Sequence, residues 1–342
     1  MKLYFWEVKR LSKVCLITAL LVLFRPFTKN LTLSYYSKFS KDGLGAQAQR
    51  MLTVYGLAKF MHSGYFHSSI SFIPSHPLDG YNTVGLRRQY LLEVNDFFSS
   101  RQVSCGIKAQ DFNREVFVDR LSLRVLIREI MKSFVSDSTL MFIDEPFSVA
   151  DYCCPVKYLI STFPIEETRL KVFDSRKSGT HLVIHYRVTN GSFSDGKHVL
   201  VARQQELSRF KKVIERIASE CNNRHLFITF LTDAPPKNFN VPIPSDELHV
   251  WQGISSHKDG RFRISGIPDN DFLDLLPSNL RHRCEIIRGG SPLLALKIMI
   301  SAQYLIISRS SLSYTAALLN TGGRVFYPFG FWHPKKSSWG KY

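Results

Sequence analysis

An apolar, strand-like run, Tyr304 to Ile307, opens into Ser308, Arg309, Ser310, Ser311 and Ser313, and a helix-like run, Tyr314 to Leu319, follows. The first N–H groups of a helix lack intrahelical partners, and the aligned peptide dipoles favour negative charge there. Serine hydroxyls and one guanidinium would add charge-assisted bonds to phosphate oxygens. The same residues also suit a plain serine N-cap, and at this point both readings stand.

Two more polar groups close apolar runs. His185-Tyr186-Arg187 ends a run that begins at His181, and Thr232-Asp233 ends one that begins at His225. Open α/β sheets bind ligands at the carboxyl ends of their strands. The planar fork of Arg187 matches two oxygens of a diphosphate. Asp233 suits a ribose hydroxyl or a base N–H, or else a plain turn before Pro235. Nearer the start, Gly43-Leu44-Gly45-Ala46-Gln47-Ala48 fits the spacing of a dinucleotide loop. That use needs an acidic residue about twenty positions on. None lies between Gly43 and Leu78, and no arginine between Arg50 and Arg87 replaces it. A nicotinamide or flavin site is therefore not expected. What remains is a tight glycine loop that can approach a ligand closely.

The elements that must position these groups alternate. Leu31 to Phe39 reads as a strand, Ala46 to Met61 as a helix and Gly64 to His67 as a short strand. Ile70 to Gln110 reads mostly as loop, with one helix over Arg87 to Phe98. Asn113 to Phe134 is expected as one helix, and Leu140 to Ile143 as a strand. A second block follows Ser178. Strands are expected over His181–Val188, His225–Thr232, Leu248–Gln252, Tyr304–Ser308 and Arg324–Tyr327, and helices over Gln204–Cys221, Ser291–Ala302 and Leu312–Leu319. Alternation of this kind implies parallel sheets covered by helices. The expected division is a basic, apolar N-terminal segment over 1–30, an α/β domain over 31–170 and a second over 178–335, facing a cleft.

The chain has 342 residues, 44% of them hydrophobic, enough for two cores. Its formal charge of +17 calls for an anionic partner. The basic residues are scattered without a long block, so nucleic acid is not the expected partner. The six cysteines form no C-x-x-C pair and complete no zinc set with histidine, so no metal site is expected. Val14 to Phe24 is apolar, broken only by Thr18, and follows Lys9, Arg10 and Lys13. It reads as a signal anchor at a membrane surface or as a buried N-terminal helix.

In order and spacing, these pieces resemble the α-1,2-fucosyltransferases of glycosyltransferase family eleven and their α-1,6- and O-fucosyltransferase relatives. The resemblance runs in islands over residues 35 to 335. The family's Gly-Gly-Leu-Gly-Asn-Gln corresponds to Asp42–Gln47. Its His-x-Arg-Arg-Gly-Asp corresponds to His185–Asn190, with Val188 for the second arginine and Asn190 for the aspartate. Its Ser-Asp-Asp corresponds to Thr232–Ala234, and its late serine-rich motif to Ile307–Asn320, with Arg309 for an asparagine. The resemblance implies a GT-B architecture of two Rossmann-like domains. It implies inverting, metal-independent transfer of fucose from GDP-fucose to a glycan hydroxyl, with no cofactor beyond the donor. Arg187 would then be catalytic. His185, Asp233, Arg309, Ser310, Ser311 and Ser313 would bind the donor, and Gly43, Gly45 and Gln47 would line the cleft. Asp42 and His67 are candidate bases. Another nucleotide-sugar donor, or a non-catalytic carbohydrate-binding relative, stays open as an alternative. A Golgi-type membrane association through the N-terminus is expected, with a cytoplasmic location as the alternative.

Overall fold

The computed structural model describes residues 2–36, 43–73, 84–99, 112–135, 138–150, 153, 155–165, 170, 179–187, 209–221, 226–242, 261–264, 266–328 and 336–342. Asp42, Val188, Asn190 and the strand expected over Leu248–Gln252 lie outside them.

Two parallel sheets organise the chain, each with helices packed on it, an α/β architecture of two Rossmann-like halves. The first sheet contains β1 (Leu31–Tyr35), β2 (Gly64–Phe66), β3 (Arg114–Arg120) and β4 (Thr139–Glu145), in the order β2-β1-β4-β3. The second half begins with β5 (Thr180–Tyr186) and β6 (Leu226–Thr232). A small antiparallel pair, β7 (Phe239–Pro242) and β8 (Arg261–Ile264), follows them. Then come β9 (Cys284–Arg288), β10 (Tyr304–Ile306), β11 (Arg324–Tyr327) and β12 (Gly340–Lys341). The second sheet has the order β12-β11-β10-β5-β6-β9.

Side-chain alternation assigns each face of the second sheet to a different core. Leu182, Ile184, Ile228, Phe230, Ile306 and Phe326 point to one side, where they pack with Phe210 and Phe272. Val183, Leu231, Leu305, Ile307 and Val325 point to the other. Successive strand residues face opposite ways, so a strand buried on both faces must be apolar throughout. The second set belongs to an apolar core that continues into the first half.

The longer helices among the described residues are α1 (Lys2–Phe24), α2 (Leu44–Met61), α3 (Val84–Phe98), α4 (Leu123–Val135), α5 (209–220), α6 (Pro292–Ile300) and α7 (Ser311–Leu319). Helix α2 is buried nearly all round, consistent with a central position. It packs on β1 and on α7 of the other half, so the two halves meet along that seam.

The single helix expected over Asn113–Phe134 is corrected. Residues Arg114–Arg120 form β3, and the helix starts at Leu123. Val116 and Val118 alternate with exposed Glu115, Phe117 and Asp119, a period of two that suits a strand beside β4 (Val116 opposite Met141). At the N-terminus, Ile17 and Leu21 are buried in the main core. No described helix is long and apolar enough to cross a membrane. Cys15, Cys153, Cys221 and Cys284 are free thiols.

Candidate functional site

Register brings the sequence-selected residues of the second half together. β10 runs beside β5 with Leu305 opposite Val183 and Ile306 opposite Ile184. The chain beyond Ile306 therefore passes His185. His185 Nδ1 lies 2.9 Å from Ser308 Oγ, and both residues are buried. Burial pushes the His185 pKa down to about 4, and the nearby Arg187 charge acts the same way, while Asp233 opposes it. The ring is neutral at physiological pH and acts as a fixed strut between the two strands.

Two residues on, Arg187 leaves the end of β5. Its Nη1 donates to Ser310 Oγ at 3.4 Å, and its Nε lies 3.6 Å from Asp233 Oδ2. Asp233 follows β6, the neighbour of β5 on the other side. A half-exposed ion pair of this length contributes at most about 1 kcal/mol. Its consequence is orientation, since it aims the guanidinium across the strand ends.

The turn before α7 is fixed by its own hydroxyls. Ser310 is the N-cap, and its Oγ accepts from Leu312 N at 3.2 Å. Ser310 N donates to Ser308 O at 2.8 Å. Ser313 Oγ lies 3.2 Å from both Ser308 O and Ser310 O, with its side chain buried. The N-cap and the guanidinium contact thus occur at the same serine. Ser313 faces inward and braces the turn, Ser311 is half-buried, and Arg309 is exposed.

The glycine loop of the first half reaches this turn from the other side. Gly43 N-caps α2 and is exposed. Gly45 is buried, and Thr315 Oγ1 donates to its carbonyl at 3.1 Å. A Cβ at Gly45 would lie 2.3 Å from Leu312 N, so only glycine permits this approach. The first turns of α2 and α7, from different halves, therefore abut beside Arg187 and Ser310. Gln47 is fully buried and donates through Nε2 to Phe72 O at 2.7 Å, so it supports the 70–73 segment. His67 sits half-buried after β2, and burial pushes its pKa down to about 4.

Two supports were not apparent from the sequence reading. Thr315 is one. Arg288, at the end of β9, is the other: it donates to Ala234 O at 2.5 Å and Ile267 O at 2.8 Å, and pairs with Asp269. Together with the Thr232 hydroxyl, which accepts from Ala234 N at 3.0 Å, it fixes the turn that carries Asp233. Its signal is an apolar pair, Ile286-Ile287, ended by arginine before Gly289-Gly290. Among the described residues, no group of three or more His, Cys, Asp or Glu is arranged to hold a metal ion.

No protein family and no curated protein matches the chain. Among solved structures, it is similar to E. coli heptosyltransferase WaaC with ADP-2-deoxy-2-fluoro heptose. That likeness has 8% sequence identity, covers 91% of each chain and has a TM-score of 0.34.

Proposed function

We propose that this protein is an inverting glycosyltransferase that uses a nucleotide sugar, GDP-fucose being the first candidate, and a glycan hydroxyl as acceptor. The observation that carries the reading is Arg187 Nη1 at 3.4 Å from the N-cap hydroxyl of α7, with Asp233 beside it. A guanidinium, a second exposed arginine at 309 and the N-terminal end of a helix form a positively polarised corner at the carboxyl edge of a parallel sheet. The motif order from Gly43 to Asn320 is what makes the ligand a sugar nucleotide in this reading.

In that reading the donor diphosphate lies against Arg187, Arg309 and the Ser310–Ser311 turn that opens α7. The acceptor oxygen attacks the anomeric carbon from the face opposite the diphosphate. A new C–O bond forms as the bond to the diphosphate breaks, and the configuration inverts. Negative charge grows on the departing diphosphate, where fixed positive groups lower the barrier most because they need not reorganise. Asp233 would accept from the nucleoside. The acceptor's proton would pass to a base from the first half, for which Asp42 and His67 are candidates. His185 stays uncharged and holds Ser308 in place.

A thermal-shift screen of nucleotide sugars tests the binding half of the proposal. A donor present at about 100 times its Kd should stabilise the fold by about 2.7 kcal/mol. GDP-fucose is expected to raise the melting temperature and to turn over with a galactoside acceptor. A shift with another sugar nucleotide alone would replace the donor and keep the reaction class. Binding without turnover over a panel of acceptors would favour a non-catalytic carbohydrate-binding protein.

A further inference from the structure

Over residues 14–24, helix α1 is apolar on two sides, and one of them is exposed. Ile17 and Leu21 pack into the core. The opposite stripe, Cys15, Leu16, Ala19, Val22 and Leu23, is exposed at helical spacing, with Leu16 60% and Leu23 67% accessible. A helix that is apolar all round is normally buried all round. A second exposed apolar strip lies at the end of α4: Met131, Phe134 and Val135, the last 85% accessible. The two strips are joined by rings. Phe24 meets Phe27 at a centroid distance of 6.3 Å, and Phe27 meets Phe134 at 5.0 Å.

Between residues 12 and 30 and along α4, the charged side chains other than Glu129 are all basic. Lys13 and Lys29 flank the α1 strip and are exposed. Arg124, Arg128 and Lys132 run along α4 at four-residue spacing, exposed, next to Met131 and Val135. The sequence has no acidic residue between Glu7 and Asp42. The acid of α4, Glu129, is buried and shared among Arg114, Arg128 and Lys132. One carboxylate against three cations leaves this helix with net positive charge.

We infer that the α1–α4 face is a docking surface for an anionic lipid bilayer, on which the protein lies without crossing. Exposed apolar side chains would enter the boundary between headgroups and acyl chains, and the flanking lysines and arginines would meet lipid phosphates. A second copy of this chain would have to place one basic rim against another, which disfavours a symmetric dimer through the same face. The inference uses none of the residues assigned to the reaction, so the two stand or fall separately.

The test is flotation of the full chain with vesicles made of equal parts phosphatidylcholine and phosphatidylglycerol, compared with phosphatidylcholine alone. The protein should float with the anionic vesicles, less so in high salt, and much less with the neutral ones. Leu23→Glu combined with Val135→Glu should lower the apparent affinity about tenfold or more, because each change removes an exposed apolar side chain that would enter the bilayer and adds a charge of the same sign as the lipid. Both positions are exposed, so the variant's circular-dichroism melt should match that of the parent. Lys13→Ser with Arg124→Ser should reduce flotation through charge alone. No flotation, equal and salt-insensitive binding to both vesicle types, or undiminished binding by the Glu variant would overturn the inference. So would light scattering that finds a dimer which the Glu variant splits, with no vesicle binding.

Discussion

Replacing Gly45 by alanine adds one methyl group at the point where the two halves touch. Built on the existing backbone, the new Cβ would stand 2.3 Å from Leu312 N, 2.5 Å from Leu312 Cα and 2.8 Å from Leu312 Cβ. Ordinary contacts of this kind need roughly 3.5 Å, so backbone must move by about 1 Å, and no flexible side chain is present to yield. Overpacking of this sort costs about 1–3 kcal/mol. Moving α7 away would also weaken the Thr315–Gly45 hydrogen bond, worth about 1 kcal/mol. Against this, alanine gains about 1 kcal/mol over glycine in helix propensity. The net expectation is a loss of about 1–3 kcal/mol. The displaced turn carries Ser310, so ligand affinity should fall as well. Gly85 in α3 is the internal control: it is exposed, nothing lies within 4 Å of its added Cβ, and alanine there should stabilise by up to about 1 kcal/mol. Urea denaturation of both variants separates the two effects. A Gly45→Ala protein as stable as Gly85→Ala would refute the close approach of α2 and α7.

Burial of His185 should make stability fall in acid. Its folded pKa of about 4 lies below the ordinary histidine value of 6.5, so the unfolded chain takes up the proton first as pH falls. Stability should be full above about pH 6.5 and decline towards pH 4, by on the order of 3 kcal/mol from this residue. His67 adds a decline in the same direction, so His185→Asn should flatten part of the slope in denaturant melts taken across pH. Asn320 closes the end of α7: its amide donates to Met299 O at 3.1 Å and Ala302 O at 2.8 Å and accepts from Gly323 N at 2.6 Å. Asn320→Ala leaves these buried groups unmatched and should destabilise by about 2–3 kcal/mol in a urea titration; a loss below about 0.5 kcal/mol would contradict the clip.

Where a single period ran without interruption, the sequence was readable. Arg324–Tyr327 emerges as a strand at its expected bounds, because Gly322-Gly323 before it and Pro328 after it isolate four residues. α2 begins two residues earlier than expected and ends where expected, at Met61. β3 was hidden because its alternation passes within two residues into the helical period of α4, and the charged residues on its open face also suit a helix. β9 was missed because only Ile286 and Ile287 are apolar in a run otherwise made of Cys284, Glu285 and Arg288, and its identity as a strand comes from pairing with β6. The site follows the same division. That Arg187, Asp233 and Ser310 each follow a strand could be read from the sequence, whereas the neighbouring positions of those strands come from the sheet order. That Gly45 rests on Leu312, or that Gln47 turns inward, depends on packing between distant segments, which no local pattern encodes.

Calorimetric titration of GDP into the wild-type protein and into Arg187→Ala tests the central claim most directly. Arg187 is partly exposed, and its ion pair with Asp233 is long, so the variant should keep its melting temperature within a few degrees. Loss of a charge-assisted contact to the diphosphate, worth about 1.5–3 kcal/mol, should weaken GDP binding by about 10- to 150-fold. Unchanged GDP affinity in Arg187→Ala, or no GDP binding by the wild-type protein at any workable concentration, would contradict a diphosphate held between Arg187 and the start of α7.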